Sequence, residues 1–395
     1  MKTSDLYSKK KDCCGCELCS YACPRKVITM EPDEEGFFYP VIKDDSNCIN
    51  CARCLKVCPS KSSVHPSREL LESYGGFCKD VDEIKNSSSG GFATSLGREF
   101  IRRGGVVYGV RYSSDFAEVV YDRADNETAL ESFRTSKYVQ SRKRDIYGRV
   151  LNDLKNGNRV LFTGLPCEIS ALYHYVGPFD KNLYTVSLIC HGPTSPKVHQ
   201  SFCENLKATY NSEISSFSVR HKLLGWKPYY ISANFASGEC HQELYSKSDY
   251  GIAFLYMKRP SCSVCRYKWG NKEFGLVADM TLGDFHAVKK EMPHYNSWGS
   301  SQACIQSDKG YELLKLIQKS CLAEIIPAEK IRSGNIAFVS PIPANRLRSS
   351  FVSAFKNHSL SYAAHIPSIR LQRVLKSYKE KLIRFAVLTR KFLLR

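Results

Sequence analysis

The sequence carries two copies of one spacing, Cys-x2-Cys-x2-Cys-x3-Cys-Pro, and nothing else in it constrains the fold as much. The first copy is Cys13, Cys16, Cys19, Cys23 and Pro24; the second is Cys48, Cys51, Cys54, Cys58 and Pro59. Three cysteines two residues apart can wrap the corners of one iron–sulfur cubane, while the offset fourth is directed at a second cubane. The spacing therefore predicts two 4Fe-4S clusters with exchanged ligands. Cys13, Cys16, Cys19 and Cys58 would take the first, and Cys48, Cys51, Cys54 and Cys23 the second. Zinc motifs normally pair two Cys-x-x-Cys units and have no use for the x3-Cys-Pro tail. Cys14 has no place in the pattern and is read as a non-ligand.

Between the copies, "VITMEPDEEGFFYPVI" sets apolar runs on either side of Asp33-Glu34-Glu35-Gly36, which is the pattern of a β-hairpin. The result is an α+β ferredoxin-like domain, assigned to residues 1–65. The stretch "PSKSSVHPSRELLESYGG" that follows is rich in Ser, Pro and Gly and marks the boundary, with residues 66–80 read as a linker.

The rest of the chain alternates helix and strand. "REFIRRGGVVYGVRY" reads as a helix stopped at Gly104-Gly105 and a buried strand. "YGRVLNDLKNGNRVLFTGLPCEISALYHYV" repeats the scheme with an apolar strand from Val160 to Thr163, and "LYTVSLICHGPTSPKVHQSFCENLKATY" adds another strand, loop and helix. Such alternation predicts an α/β layered domain, assigned to residues 81–350. In sheets of this kind ligands sit beyond the carboxyl ends of strands, where Cys167 and Cys190 fall. With Cys262 and Cys265 they can form a four-thiolate site for a third 4Fe-4S cluster. Two other readings stand beside it: zinc on Cys262 and Cys265 with two further ligands, or Cys167 and Cys190 as small buried hydrophobes.

Lysine and arginine number 57 against 39 acids, a net charge of +18, which favours acidic partners: a redox protein, a phosphorylated cofactor or anionic lipid. No helix-turn-helix, zinc-finger or RNA-binding signature accompanies that charge, so no nucleic-acid partner is expected. The amino terminus has no secretory pattern, and no apolar run approaches the ~20 residues that span a bilayer. Together with 18 cysteines, this points to a reducing, cytoplasmic setting in which thiols bind metal.

Six segments, "SSSGGFATSLGREFIRRGGVVYGV", "SKYVQS", "VLFTGLPCEISAL", "LICHGPTSPKV", "HKLLGW" and "CSVCRYKWGNKEFGLVADMTLGDF", occur in an order that resembles the coenzyme F420 hydrogenase/dehydrogenase beta-subunit family. The resemblance covers residues 75 to 350, with the ferredoxin domain as a fused addition. It implies a flavoprotein, with FAD as the usual flavin, and strengthens the third cluster on Cys167, Cys190, Cys262 and Cys265. A flavin suits the chemistry, because clusters move one electron at a time and hydride transfer moves two. Ser87, Ser88, Ser89, Gly90 and Gly91 precede a helical stretch and can cradle phosphate; a capped helix start is the rival reading. Lys137, Tyr138 and Gln140 offer polar groups near flavin or substrate, unless they form a solvated edge strand. His191 and Lys137 are the candidate catalytic residues, His191 as a proton donor. Asp279 and Asp284 can anchor ribityl hydroxyls or cap turns. No Gly-x-Gly-x-x-Gly follows a strand, so a Rossmann nicotinamide site has no support. The chain departs from the family pattern at Glu168, where relatives often carry Gln, at Thr194, where they carry Pro, and at His286-Ala287, where they carry Trp-Gly.

The terminal stretch places Leu371, Val374, Leu375, Tyr378, Leu382 and Phe385 on one helical face and carries nine basic residues against the single acid Glu380. Residues 351–395 are read as a basic amphipathic helix, which can make peripheral contact with an anionic membrane or dock on an acidic partner. The simpler expectation is a helix packed on the domain with a solvated outer face. Taken together, these features predict an oxidoreductase that passes electrons from a reduced ferredoxin-type donor through 4Fe-4S clusters to FAD and an unidentified organic substrate or coenzyme. The alternative is an electron-transfer subunit of a larger complex with no substrate site of its own.

Overall fold

The computed structural model describes residues 1–64, 68–177 and 180–393. Each cysteine run closes in a short helix, Leu18–Ala22 and Arg53–Lys56, entered through a left-handed residue, Glu17 or Ala52. Between them Thr29–Pro32 (β1) and Phe38–Val41 (β2) pair antiparallel as the expected hairpin. The Asp33 carboxylate fixes the turn by accepting the N–H groups of Glu35 and Phe37. Phe37 and Tyr39 are buried in a core shared with Val198, Phe202, Val219, Ile231 and Tyr250. At roughly 2 kcal/mol for each buried aromatic, the hairpin is held by the rest of the chain as well as by its own domain.

The larger part is built on one sheet of eight strands. In chain order they are Glu72–Cys78 (β3), Val106–Tyr112 (β4), Val119–Ala124 (β5), Val160–Gly164 (β6), Leu183–Leu188 (β7), then Met280–Asp284, Ser301–Ile305 and Cys321–Ile325. A second, antiparallel sheet of Ile214–His221 (β8), Tyr230–Phe235 (β9) and Cys240–Leu244 (β10) lies between β7 and Met280 in sequence. The last three strands of the large sheet are thus β11, β12 and β13, and the spatial order is β13-β3-β12-β11-β7-β6-β4-β5.

The central four, β4, β6, β7 and β11, are parallel, as the helix–strand alternation predicts. The flanking strands β5, β12, β3 and β13 are antiparallel, so the sheet is mixed. Helices cover both faces. Leu96 and Phe100 of Phe92–Arg102 meet Val107, Leu161 and Val186 on one side. Tyr147, Val150, Ile169 and Leu172 meet Tyr108 and Phe162 on the other.

Two expectations are corrected. Residues 72–78, assigned to a linker, form β3 and pair on both edges. Residues 351–395 are not one helix: Arg348–Asn357 and Leu360–Ala364 pack into the core through Phe351, Phe355 and Ala363, and only Pro367–Leu393 forms the long basic helix. That helix is not laid on the domain along its apolar face. Leu371, Val374, Leu375, Tyr378 and Leu382 are each at least half exposed, and the side chain of Phe385 lies outside the described residues. Among the described residues no helix is long and apolar enough to cross a membrane.

Candidate redox site

The fold brings the ferredoxin-type cysteines together in two groups. Cys23, Cys48, Cys51 and Cys54 line one cavity open to solvent, with Met1, Ile28 and Ile42 as apolar walls. Cys13, Cys16, Cys19 and Cys58 form the other group, on the side facing the large sheet. Burial pushes the Cys19 and Cys58 thiols up, Cys58 to about 11, and the neighbouring thiols add to it. These are the two sets that the exchanged spacing predicts. Among the described residues no three His, Cys, Asp or Glu side chains stand close enough to ligate a single metal ion. The eight ferredoxin-type cysteines meet the same description, since a cubane is gripped at separate corners by one thiolate each.

Arg259 joins this group to the second half of the chain. Its side chain is almost fully buried. Nε donates to the Cys13 carbonyl at 3.0 Å, Nη1 to Gln140 Oε1 at 3.1 Å and Nη2 to the Phe38 carbonyl at 3.1 Å. Nη2 also stands 3.7 Å from Cys13 Sγ. The close approach depends on Gly15, at φ +72°, where a Cβ would fall 2.7 Å from the guanidinium carbon. Gln140 accepts from Arg259 and from the Phe38 N–H, so it braces the ferredoxin domain.

Three residues beyond Arg259 stands Cys262. The loops after β6 and β7 deliver Cys167 and Cys190 to the carboxyl edge of the sheet, and the Pro260–Val264 turn carries Cys262 toward the same place. Gly192, at φ +92°, permits this, because a Cβ there would lie 3.0 Å from Cys262 Sγ. Burial raises the Cys190, Cys262 and Cys265 thiols, and the Lys268 ammonium pulls all three back down. Cys14, which the spacing left over, has its thiol within hydrogen-bond reach of both Cys16 and Cys167. A continuous file of thiols thus runs from the first motif to the sheet edge. Beside it Glu168 and Lys143 form a buried ion pair at 2.8 Å. Glu168 also accepts from Tyr121 Oη, Ser141 Oγ and the Leu165 N–H.

Beyond Cys190 lies a pocket of cations around one carboxylate. Arg220 Nη1 donates to Asp284 Oδ2 and to Tyr138 Oη, both at 2.9 Å, and Nη2 to the Ser88 carbonyl at 2.7 Å. Its Nε is buried and has no partner among the described residues. Burial acts to raise Asp284, and Arg220 and His286 more than offset it, so the carboxyl stays below its ordinary value. Lys222 Nζ donates to the Ile84 and Ser89 carbonyls, and burial lowers its pKa to about 7. His191 falls to about 4, chiefly by burial and then by Lys258 and Lys268.

The candidate flavin residues therefore divide. Ser87 to Gly91 and Tyr138 meet at the Arg220–Asp284 pair, although the serine hydroxyls are engaged: Ser87 with the Glu83 carbonyl, Ser88 with Ser136 and Ser89 with the Ser300 carbonyl. Lys137 turns away, its ammonium donating to the carbonyls of Ser132, Arg134 and Thr135, with its pKa lowered to about 7 by burial. Asp279 sits at the opposite end of β11 from Asp284, bound by Thr185, Ser307 and Arg68, so it serves the sheet. Sequence reasoning missed Arg220, Lys222, Arg259 and Lys268. Arg220 and Lys222 flank or fall in the quoted "HKLLGW", and Arg259 and Lys268 lie close to the Cys262–Cys265 pair, so proximity to a motif was the available signal.

With this geometry in view, residues 157–331 match the family described as the carboxy-terminal part of the coenzyme F420 hydrogenase/dehydrogenase beta subunit, and residues 12–62 match the 4Fe-4S dicluster domain. Residues 157–331 thus carry the carboxy-terminal domain of the coenzyme F420 hydrogenase/dehydrogenase beta-subunit family, behind a fused dicluster domain. The fused dicluster domain makes the chain an iron–sulfur electron-transfer protein of the oxidoreductase-subunit type. The chain is also similar to VorC, a ketoisovalerate oxidoreductase subunit of Methanothermobacter marburgensis, 31% identical over 74 residues that cover 18% of this chain and 92% of VorC. Among solved structures, a chain of the F420-reducing NiFe hydrogenase complex from Methanosarcina barkeri, derivatised with xenon, aligns at 17% identity. The alignment has a TM-score of 0.46 and covers 75% of this chain and 91% of that one.

Proposed function

We propose that this chain is an iron–sulfur flavoprotein oxidoreductase that takes electrons from a reduced ferredoxin-type donor and delivers them through FAD to an organic substrate or coenzyme. One observation carries the reading: the file of thiols from Cys16 through Cys14 and Cys167 to Cys265, Cys262 and Cys190 ends beside the neutral imidazole of His191 and the pocket of Arg220 and Lys222. Cys167, Cys190, Cys262 and Cys265 would hold a third 4Fe-4S cluster, with Lys268 and Arg259 answering its negative charge. Arg220, through its unpartnered Nε, and Lys222 would hold the flavin phosphates against the backbone of Ser87 to Gly91. The flavin, when bound, supplies the exchange between one-electron and two-electron chemistry.

The chain's own groups prepare that site. Arg220 keeps Asp284 ionised and ties it to the Ser88 loop, and Tyr138 Oη closes the same network. His191, next to Cys190, and His286, whose Nε2 is 3.6 Å from Asp284, are the imidazoles that would handle protons there. Lys137 and Gln140 act from further back, Lys137 by bracing the loop of residues 132–135 and Gln140 by bracing Arg259.

The test is iron, acid-labile sulfide and flavin per chain on anaerobically purified protein, beside the double variant Cys262→Ser/Cys265→Ser. About twelve irons and one FAD, falling to about eight irons with flavin retained, supports the proposal. About eight irons in both proteins and no flavin reduces the chain to a two-cluster electron-transfer protein.

A further inference from the structure

The long terminal helix has a face that nothing among the described residues covers. Its first turns are anchored: Ile369 is fully buried, Gln372 Oε1 accepts from Tyr256 Oη at 2.6 Å, and Arg373 donates to the Ser246 carbonyl. From Val374 to Tyr378, and again at Leu382, the described side chains are exposed. At ~100° per residue, Leu371, Val374, Leu375, Tyr378 and Leu382 occupy a stripe about 100° wide. Lys379 and Lys381 stand on its two flanks, and Lys376 lies toward the opposite face. A helix kept in water would not spend five large apolar side chains on one solvent-facing stripe.

We propose that Pro367–Leu393 is a docking surface for an anionic lipid bilayer, lying in the headgroup plane with this stripe turned to the acyl boundary. Charge complementarity selects the occupant. The final stretch has nine cations and one acid, and a second copy of the same helix would bring those cations against each other. A lipid surface supplies both an apolar layer for the stripe and negative charge for its flanks. Among the described residues no helix is apolar enough to cross, which agrees with embedding in the interface. The anchored first turns would hold the redox body at the membrane, within reach of a membrane-held substrate or electron donor.

The test is co-sedimentation of the full chain with vesicles of phosphatidylcholine alone and with about 30% phosphatidylglycerol added. Binding should be at least about tenfold stronger on the anionic vesicles and should fall as salt rises from about 0.1 to about 0.5 M. Leu375→Glu/Leu382→Glu should abolish it, and Lys376→Ser/Lys379→Ser/Lys381→Ser should weaken it on anionic vesicles. All changed positions lie beyond the last anchored residue, so iron per chain should be unaltered in each variant. Equal binding to both vesicle types, or binding that survives the double Leu variant, overturns the proposal. So does a dimer in sedimentation equilibrium that the double Leu variant dissociates, because a second copy would then own the face.

Discussion

Replacing Arg259 by glutamine removes one buried positive charge beside the first cysteine group while leaving an amide able to donate to the Cys13 carbonyl. Its electrostatic effect can be worked from the structure. A full electron at Cys13 Sγ, 3.7 Å from Nη2, would interact with the guanidinium by about 4.5 kcal/mol at an effective dielectric constant of about 20. An electron added to a cubane is shared over four corners, so at least a quarter of that, about 1 kcal/mol, reaches the cluster. With about 59 mV for each tenfold change in a one-electron equilibrium, the limits become about 50 and about 200 mV. The sign follows from charge: reduction adds negative charge, Arg259 stabilises it, and its loss lowers the midpoint potential. Anaerobic potentiometric titration followed by electron paramagnetic resonance measures this directly. The cluster expected on Cys23, Cys48, Cys51 and Cys54 serves as internal reference, since Arg259 makes none of its described hydrogen bonds to that group. Arg259→Gln should move one potential down by at least about 50 mV and leave the other in place, and Arg259→Lys should restore most of the difference. Equal shifts in both clusters, or a lysine variant as altered as the glutamine one, would refute the electrostatic account.

Other outcomes follow from the same contacts. Glu168→Gln should destabilise the fold by about 3 to 5 kcal/mol in chemical denaturation, because Lys143, 3% exposed, loses the carboxylate paired with it. Lys143→Met/Glu168→Leu should recover most of that loss. Cys14→Ser should keep the iron content of the parent, whereas Cys58→Ser should lose about four irons, separating neighbour from ligand. His199 is buried, donates from Nε2 to the Phe116 carbonyl, and has its pKa pushed down to about 4. The unfolded chain takes up that proton below about pH 6.5 and the folded chain does not, so this contribution is complete above that pH and shrinks on acidification. It amounts to about 2 kcal/mol between pH 7 and pH 5, and His199→Gln should flatten denaturation free energies over that interval.

What could be read in advance was whatever is fixed by residues near one another in sequence. The cysteine spacing is such a feature, and so are the hairpin at Asp33 and the alternation that produced the parallel strands β4, β6 and β7. The antiparallel flanks were not legible, because β3 pairs with β12 and β13 more than two hundred residues away. Its sequence, "ESYGGFC", resembles a breaker, yet both glycines are required by packing. A Cβ at Gly75 would strike the Phe285 ring and one at Gly76 the Leu322 carbonyl.

The site divides in the same way. The thiols announced themselves through spacing and resemblance, while the charges that make their burial tolerable did not. Arg259 acts on Cys13 across 246 positions, and Lys143 acts on Glu168 from the far side of β6. An arginine or lysine in isolation looks the same whether it is solvated or buried against a thiolate. What distinguishes these is that a buried cation must be answered by a buried anion or by something that becomes one when it is reduced. Among the described residues Arg259 has three neutral acceptors and one cysteine thiol, but no carboxylate. A cluster-bound Cys13 thiolate would supply that counter-charge, which makes the order of assembly testable. Apo-protein refolded without iron and sulfide should leave the contact between hairpin and body loose to proteolysis at residues 33–36, and cluster insertion should protect it. Equal protection before and after insertion would mean that Phe37 and Tyr39 alone hold the domains together.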